Sequence, residues 1–289
     1  MSSNNGFVLY HYEPSLAAAI LFSVLFSITT LLHLYQRVKS GSTCMNPFIV
    51  GGFFQVTGYG CRAASHFFET STTLYAIQTL LVLLAPTLYA ASIYMILGRT
   101  IQFLHAERLS PVPAKWMTKI FVAGDILSFI LQGAGGGVMS SGSVNSQDIG
   151  TYIIIAGLAV QLLFFGVFVS VACVFHFRFS NSQTAGTDVN ASGKAPWVRS
   201  WNALLWVLYL VSGLILIRSA FRMVEFAQGF DGYLIGHEIF MYVLDTALMF
   251  VLMVVMNGFH PSGVLGRVKG ELVDCEMLVS QGRDAERRV

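Results

Sequence analysis

The sequence is short of charge. Asp, Glu, Lys and Arg make up 11% of its 289 residues, while 55% are hydrophobic and the mean hydropathy is +0.65. A water-soluble domain of this size needs more charge to cover its surface. Cysteine is scarce too. Cys44, Cys61, Cys173 and Cys275 show no metal-ligand spacing and are expected to be small apolar fillers, not a disulfide framework. The net charge is +2, and the basic residues are scattered over loops, which offers no face to nucleic acid. The opening M-S-S-N-N-G-F lacks a basic n-region. No cleavable signal peptide is therefore expected, and the first span acts as its own targeting signal. No G-x-x-x-x-G-K-[ST] stretch is present for ATP hydrolysis.

What the chain does have is seven long apolar blocks, at 15–36, 45–65, 74–97, 116–139, 150–177, 201–221 and 237–257. Each is long enough to cross about 30 Å of hydrocarbon as a helix. Strands of a membrane barrel would be shorter and would alternate. The expected fold is an all-α integral membrane protein, a seven-transmembrane helix bundle spanning 15–257. Residues 1–14 then lie outside and 258–289 form a cytoplasmic tail. Orientation follows from lysine and arginine. Arg37, Lys39, Arg99, Arg108, Lys115, Lys119, Arg178, Lys194, Arg199, Arg267, Lys269, Arg283, Arg287 and Arg288 all fall on the side of the C-terminus. That side is expected to be cytoplasmic, with the N-terminus outside. Arg62, Arg218 and Arg222 are the exceptions.

Local signals refine this plan. Pro86 predicts a kink in the third span, because it removes a backbone hydrogen bond. The fourth span carries G-A-G-G-G at 133–137, where Gly133 and Gly137 form a small-xxx-small pair that lets another helix approach. Such small-residue faces also allow a homo-oligomer. The connection 179–200 is expected to be a mobile inner loop, and the sequon at Asn190 to be unglycosylated there.

Polar residues recur at depth. Gln55, Tyr59, Arg62, His66 and Glu69 form one helical stripe at the outer end of the second span. Asp125, Ser128 and Gln132 form another in the fourth. Arg218, Arg222 and Glu225 share a face of the sixth, and Glu238, Tyr242 and Asp245 a face of the seventh, with His237 adjacent. Gln161 comes from the fifth span, Gln78 and Tyr89 from the third. An isolated charge in a membrane costs about 2.5–3.5 kcal/mol by insertion scales. Arg62, Arg218 and Arg222 are therefore expected to pair with Glu69, Glu225, Glu238 and Asp245. The residues leave three uses open: a structural ion network, a polar cavity for an amphiphile headgroup, or a catalytic or metal site.

The same stretches resemble the fungal RTA1-like proteins, also called the lipid-translocating exporter family. The resemblance rests on G-Y-G-C-R at 58–62, Q-T-L-L-V-L-L-A-P-T-L-Y-A-A-S-I-Y-M-I-L-G-R at 78–99, D-I-L-S-F-I-L-Q-G-A-G-G-G at 125–137 and G-L-A-V-Q at 157–161. R-x-x-F-R-x-x-E-F-x-x-G from Arg218, E-x-x-x-Y-x-x-D from Glu238 and H-P at 260–261 continue it in order. The resemblance implies a fungal multi-pass membrane protein with an extracellular N-terminus. It also implies a part in moving sphingoid long-chain bases, in resistance to toxic amphiphiles or, in one branch, in porphyrin or haem handling.

The reading that follows is an amphiphile translocator that draws on membrane lipids or amphiphiles through a polar cavity in its outer half. Gln55, Tyr59, Arg62, His66, Glu69, Asp125, Gln132, Gln161, Arg218, Arg222, Glu225, Glu238, Tyr242 and Asp245 are its expected substrate-binding residues. Protonation of Asp125, Glu238 or Asp245 is a candidate means of coupling to a gradient. The plasma membrane is the expected location and an internal membrane the alternative. No catalytic residue and no cofactor is expected. The rivals are a lipid or toxic-amphiphile sensor, a haem or porphyrin binder using His66 or His237 as axial ligand, and a metal-dependent lipid hydrolase. The hydrolase would need His66, His237, Glu69, Glu238 and Asp245 to gather, without any H-x-x-x-H or H-E-x-x-H to nucleate the site. Span seven has no lysine for a retinal Schiff base, and no D-R-Y-like or N-P-x-x-Y-like stretch supports a receptor.

Overall fold

The computed structural model describes residues 15–67, 72–104, 106–139, 144–184, 201–228 and 238–260, and among these there is no strand. Seven long helices follow one another: α1 (Leu16–Ser40), α2 (Asn46–Ser65), α3 (Thr72–Phe103), α4 (Ala114–Met139), α5 (Val144–Thr184), α6 (Trp201–Ala227) and α7 (Glu238–Gly258). Within α7 the stretch Tyr242–Thr246 is a π-helical turn. Six of the seven are long and apolar enough to cross a membrane. The seventh, α2, spans 20 residues, and Gln55, Thr57, Arg62 and several glycines dilute its hydropathy.

The helices run further than the apolar blocks. α3 begins at Thr72 and ends at Phe103, α5 extends from Val144 to Thr184, and α6 continues to Ala227. The reason is that polar residues outside the hydrocarbon keep helical backbone bonds once the apolar core of the segment is folded. The 41-residue α5 is about 61 Å long, twice the hydrocarbon thickness. Part of the expected loop at 179–200 is thus helix, and the sequon at Asn190 and the tail from 261 lie outside the described residues.

Capping is explicit at α1. The Ser15 hydroxyl accepts from the Ala18 N–H at 3.4 Å, and Gly41 closes the other end at φ 67°, donating to the Arg37 carbonyl. Only a residue without Cβ takes that left-handed geometry at no cost. The turn to α2 carries Cys44, fully buried, whose thiol is pushed up from its ordinary value by burial. That favours the inert thiol over the reactive thiolate.

Neighbouring helices pack in chain order, with α7 closing back on α1, while α3 lies deepest and also touches α6. Glycines set two of these contacts. A Cβ at Gly51 would stand 2.9 Å from the Ala85 carbonyl oxygen, so α2 and α3 meet backbone to backbone. A Cβ at Gly157 would stand 2.9 Å from the Ser128 oxygen, which fixes the α4–α5 approach. In the G-A-G-G-G run it is Gly135 that packs on α5. A Cβ at Gly133 or Gly137 would meet no described residue within 4 Å, so among the described residues no neighbouring helix crowds the expected small-xxx-small pair.

Candidate functional site

Three buried arginines and three carboxylates form two ion-paired groups between α2, α3, α6 and α7, strung along one network by α7, which carries both Glu238 and Asp245. Arg62 on α2 reaches Glu238 Oε1 through Nη2 at 2.7 Å and donates through Nε to the Tyr242 hydroxyl at 3.1 Å. Its guanidinium also lies 5.5 Å from the centre of the Tyr242 ring. Arg218 on α6 pairs with Asp245 Oδ1. Arg222, one turn on, pairs with Glu225 at 2.7 Å and stands 3.6 Å from Asp245 Oδ2. Charges of both signs are equal in number, while Arg222 Nε and Asp245 Oδ2 make no hydrogen bond among the described residues. Such pairing is what makes buried charge tolerable at all.

The network is graded in depth. The Glu238 side chain is 16% exposed, that of Arg62 3% and that of Asp245 1%. From Glu238 to Asp245 is seven residues, about 10 Å along a helix. Glu238 also accepts from the Ser15 N–H with both oxygens at 3.1 Å, which ties the start of α1 to the start of α7.

Two backbone irregularities serve this network. Pro86 has no N–H, so the Val82 carbonyl one turn earlier lacks its helical donor. Arg218 Nη2 supplies one at 3.0 Å. α3 stays a continuous helix through the proline. In the π turn, Thr246 Oγ1 donates to the Met241 carbonyl at 3.3 Å. Its lone pairs then accept from the Tyr59 hydroxyl at 2.5 Å. Tyr59 stacks on Phe26 with ring centres 5.5 Å apart.

A second polar group lies between α3, α4 and α5. Tyr94 Oη donates to Asp125 Oδ2 at 3.0 Å. Ser128 donates to the Gly157 carbonyl at 2.8 Å, and Gln132 donates to Ser128 Oγ at 2.8 Å and to Gln161 Oε1 at 3.1 Å. These bonds close within the group.

The expected site residues therefore divide. Tyr59, Arg62, Arg218, Arg222, Glu225, Glu238, Tyr242 and Asp245 come together, whereas Asp125, Gln132 and Gln161 form a separate group. The separation arises because the two groups face different helix interfaces. Gln55 is 1% exposed and its Oε1 has no hydrogen-bond partner among the described residues. His66 sits half-buried at the end of α2, edge-on to Phe67. Glu69 and His237 lie outside the described residues. Among the described residues no three His, Cys, Asp or Glu side chains gather in a metal-binding group. Sequence reading missed Tyr94, Thr246 and the Val82 carbonyl. Tyr94 and Thr246 carry a signal, a polar tip deep within an apolar run. Tyr89, singled out instead, spends its hydroxyl on Met253 Sδ at 3.2 Å.

Known proteins resemble this chain over most of its length. The family described as RTA1 like protein matches residues 48–267. Protoporphyrin uptake protein 1 of Saccharomyces cerevisiae is 36% identical, over 96% of this chain and 99% of its own length. The probable lipid transporter atnI of Emericella nidulans is 31% identical, over 89% of this chain and 68% of its own. The sphingoid long-chain base transporter RSB1 of Saccharomyces cerevisiae is 26% identical, over 86% of this chain and 72% of its own. No solved structure matches the chain.

Proposed function

The chain belongs to the RTA1-like family, and from that premise we propose that it moves amphiphilic lipids, such as sphingoid long-chain bases, across a membrane. The observation that carries the reading is the graded arginine–carboxylate file from Glu238, the most accessible of its carboxylates, to fully buried Asp245. In this reading α2 is the seventh span, since its 20 residues reach about 30 Å. Seven spans put the two termini on opposite sides, and the excess of lysine and arginine puts the C-terminus in the cytoplasm. The file then opens toward the outer leaflet.

An amine or hydroxyl headgroup would enter at Glu238 and compete with Arg62 for its carboxylate. The tail stays against the apolar outer faces of the helices. The network has no spare charge, so a headgroup must displace a partner as it advances. This favours stepwise exchange of hydrogen bonds over a standing water-filled cavity. The relatives named as lipid and sphingoid base transporters support this substrate class.

The test is movement of labelled sphingoid base and phospholipid across proteoliposome bilayers. Wild type should accelerate it, and folded Glu238→Gln should lose most of the acceleration. Stoichiometric lipid binding without movement by wild type would replace the translocator with a lipid sensor. A second reading is favoured by the similarity to the protoporphyrin uptake protein. There the amphiphile is a porphyrin whose carboxylates take over Arg62 from Glu238. A porphyrin absorbance band on the purified protein, lost in Arg62→Gln, distinguishes it.

A further inference from the structure

Asp125 differs from the other buried carboxylates. Glu225, Glu238 and Asp245 each lie against an arginine. Asp125 is 4% exposed and, among the described residues, meets no cation. Its one hydrogen bond comes from Tyr94 to Oδ2. Its Oδ1 accepts from no described residue.

The surroundings are apolar. The Tyr94 ring packs against Phe121, Phe165 and Phe168, with ring centres 5.5, 6.0 and 4.5 Å away. All three phenylalanines are 2% exposed. From α3 the titratable group facing Asp125 is Tyr94. On α4 itself the next polar group is Ser128, which turns to the Gly157 carbonyl. α5 contributes phenylalanines and Gln161. No charged side chain of the described residues faces Asp125 from any of these helices.

A carboxylate left ionised there meets no cation among the described residues, and such an uncompensated charge costs several kcal/mol. Hard metal cations are poorly served, because they take about six to eight oxygens and the site offers one carboxyl group and one phenol. A proton needs a single lone pair, and Oδ1 provides it.

We infer that Asp125 is a proton-binding site, separate from the arginine network, and that its loading and release couple amphiphile movement to a proton gradient. The coupling rests on the transport reading above. An O–H bond forms at Oδ1 with a proton taken from water, and the neutral carboxyl fits the packed α3–α4–α5 interface. Release leaves a carboxylate that this interface does not compensate. The unloaded form must therefore turn Asp125 toward water or a cation, which separates α3 or α5 from α4. The arrangement described here is the loaded form.

The test joins infrared difference spectroscopy of the purified protein in liposomes with movement of labelled sphingoid base under imposed pH gradients. The expected result is a carbonyl band of a protonated carboxyl, shifted in D2O, at neutral pH. Asp125→Asn should remove the band and Tyr94→Phe should displace it by removing the hydrogen bond. Relative to protein-free vesicles, wild-type movement should change by up to about tenfold for each pH unit of imposed gradient, the ratio of proton activities across the bilayer, and in the opposite sense when the gradient is reversed. A band missing from wild type, or indifferent to both substitutions, overturns the site. Movement unchanged on reversal overturns the coupling. No movement under any gradient removes the transport reading and the coupling with it, while the band still decides whether Asp125 holds the proton.

Discussion

Arg218 on α6 completes the hydrogen bonding of Val82 on α3, at a carbonyl left without a helical donor by Pro86. The proline is thus a socket for the arginine as well as a helix irregularity. The same guanidinium holds Asp245. Three helices are joined through one side chain, and the joint depends on an N–H that is missing.

Pro86→Ala returns that N–H and makes it compete with Arg218 for the Val82 carbonyl. The substitution should couple to Arg218→Lys, which keeps the charge but loses the reach of Nη2. A double-mutant cycle on unfolding in detergent should give an interaction of about 1–2 kcal/mol. Additive effects would show that the arginine does not depend on the proline.

Asp245 serves two arginines and Glu225 one. Asp245→Asn should therefore cost more than Glu225→Gln, about 3–5 kcal/mol if Arg218 is left as an uncompensated charge. Thermal denaturation followed by size-exclusion chromatography gives the ranking. A larger loss from Glu225→Gln contradicts the geometry.

Thr246→Val strands the buried Tyr59 hydroxyl and should cost about 1–3 kcal/mol. Tyr59→Phe in the same chain should recover most of the loss, because both polar partners are then gone. Unfolding of the single and double variants checks this.

Glycines separate into tolerant and intolerant positions. Gly157→Ala places a methyl 2.9 Å from the Ser128 oxygen and should destabilise by about 1–3 kcal/mol. Gly133→Ala meets nothing within 4 Å and should be neutral or stabilising. Equal losses at the two positions would mean that the outer face of α4 is covered by another chain.

The helix count was legible because long apolar runs need nothing beyond their own backbone to fold. Helix ends were less so: α5 and α6 continue into polar sequence that hydropathy does not mark. The buried arginines stood out by type, since charge inside an apolar run demands a partner. Which carboxylate each would meet was not legible, because the choice depends on helix rotation and on backbone acceptors such as Val82. Asp125 looked equivalent to Glu238 and Asp245 on spacing alone. It differs only once the arginines are seen to lie elsewhere. The π turn carries no sequence signal, as Y-V-L-D-T would suit an ordinary helix.

The length of α5 also bears on how this molecule can be imaged. A bundle of membrane-crossing helices offers few landmarks for particle alignment in electron cryo-microscopy. After the exposed Phe177, α5 keeps its helical path through polar residues to Thr184. A helical fiducial domain fused in frame there would inherit the axis of α5 and report the orientation of that helix, one of the three that pack around Asp125.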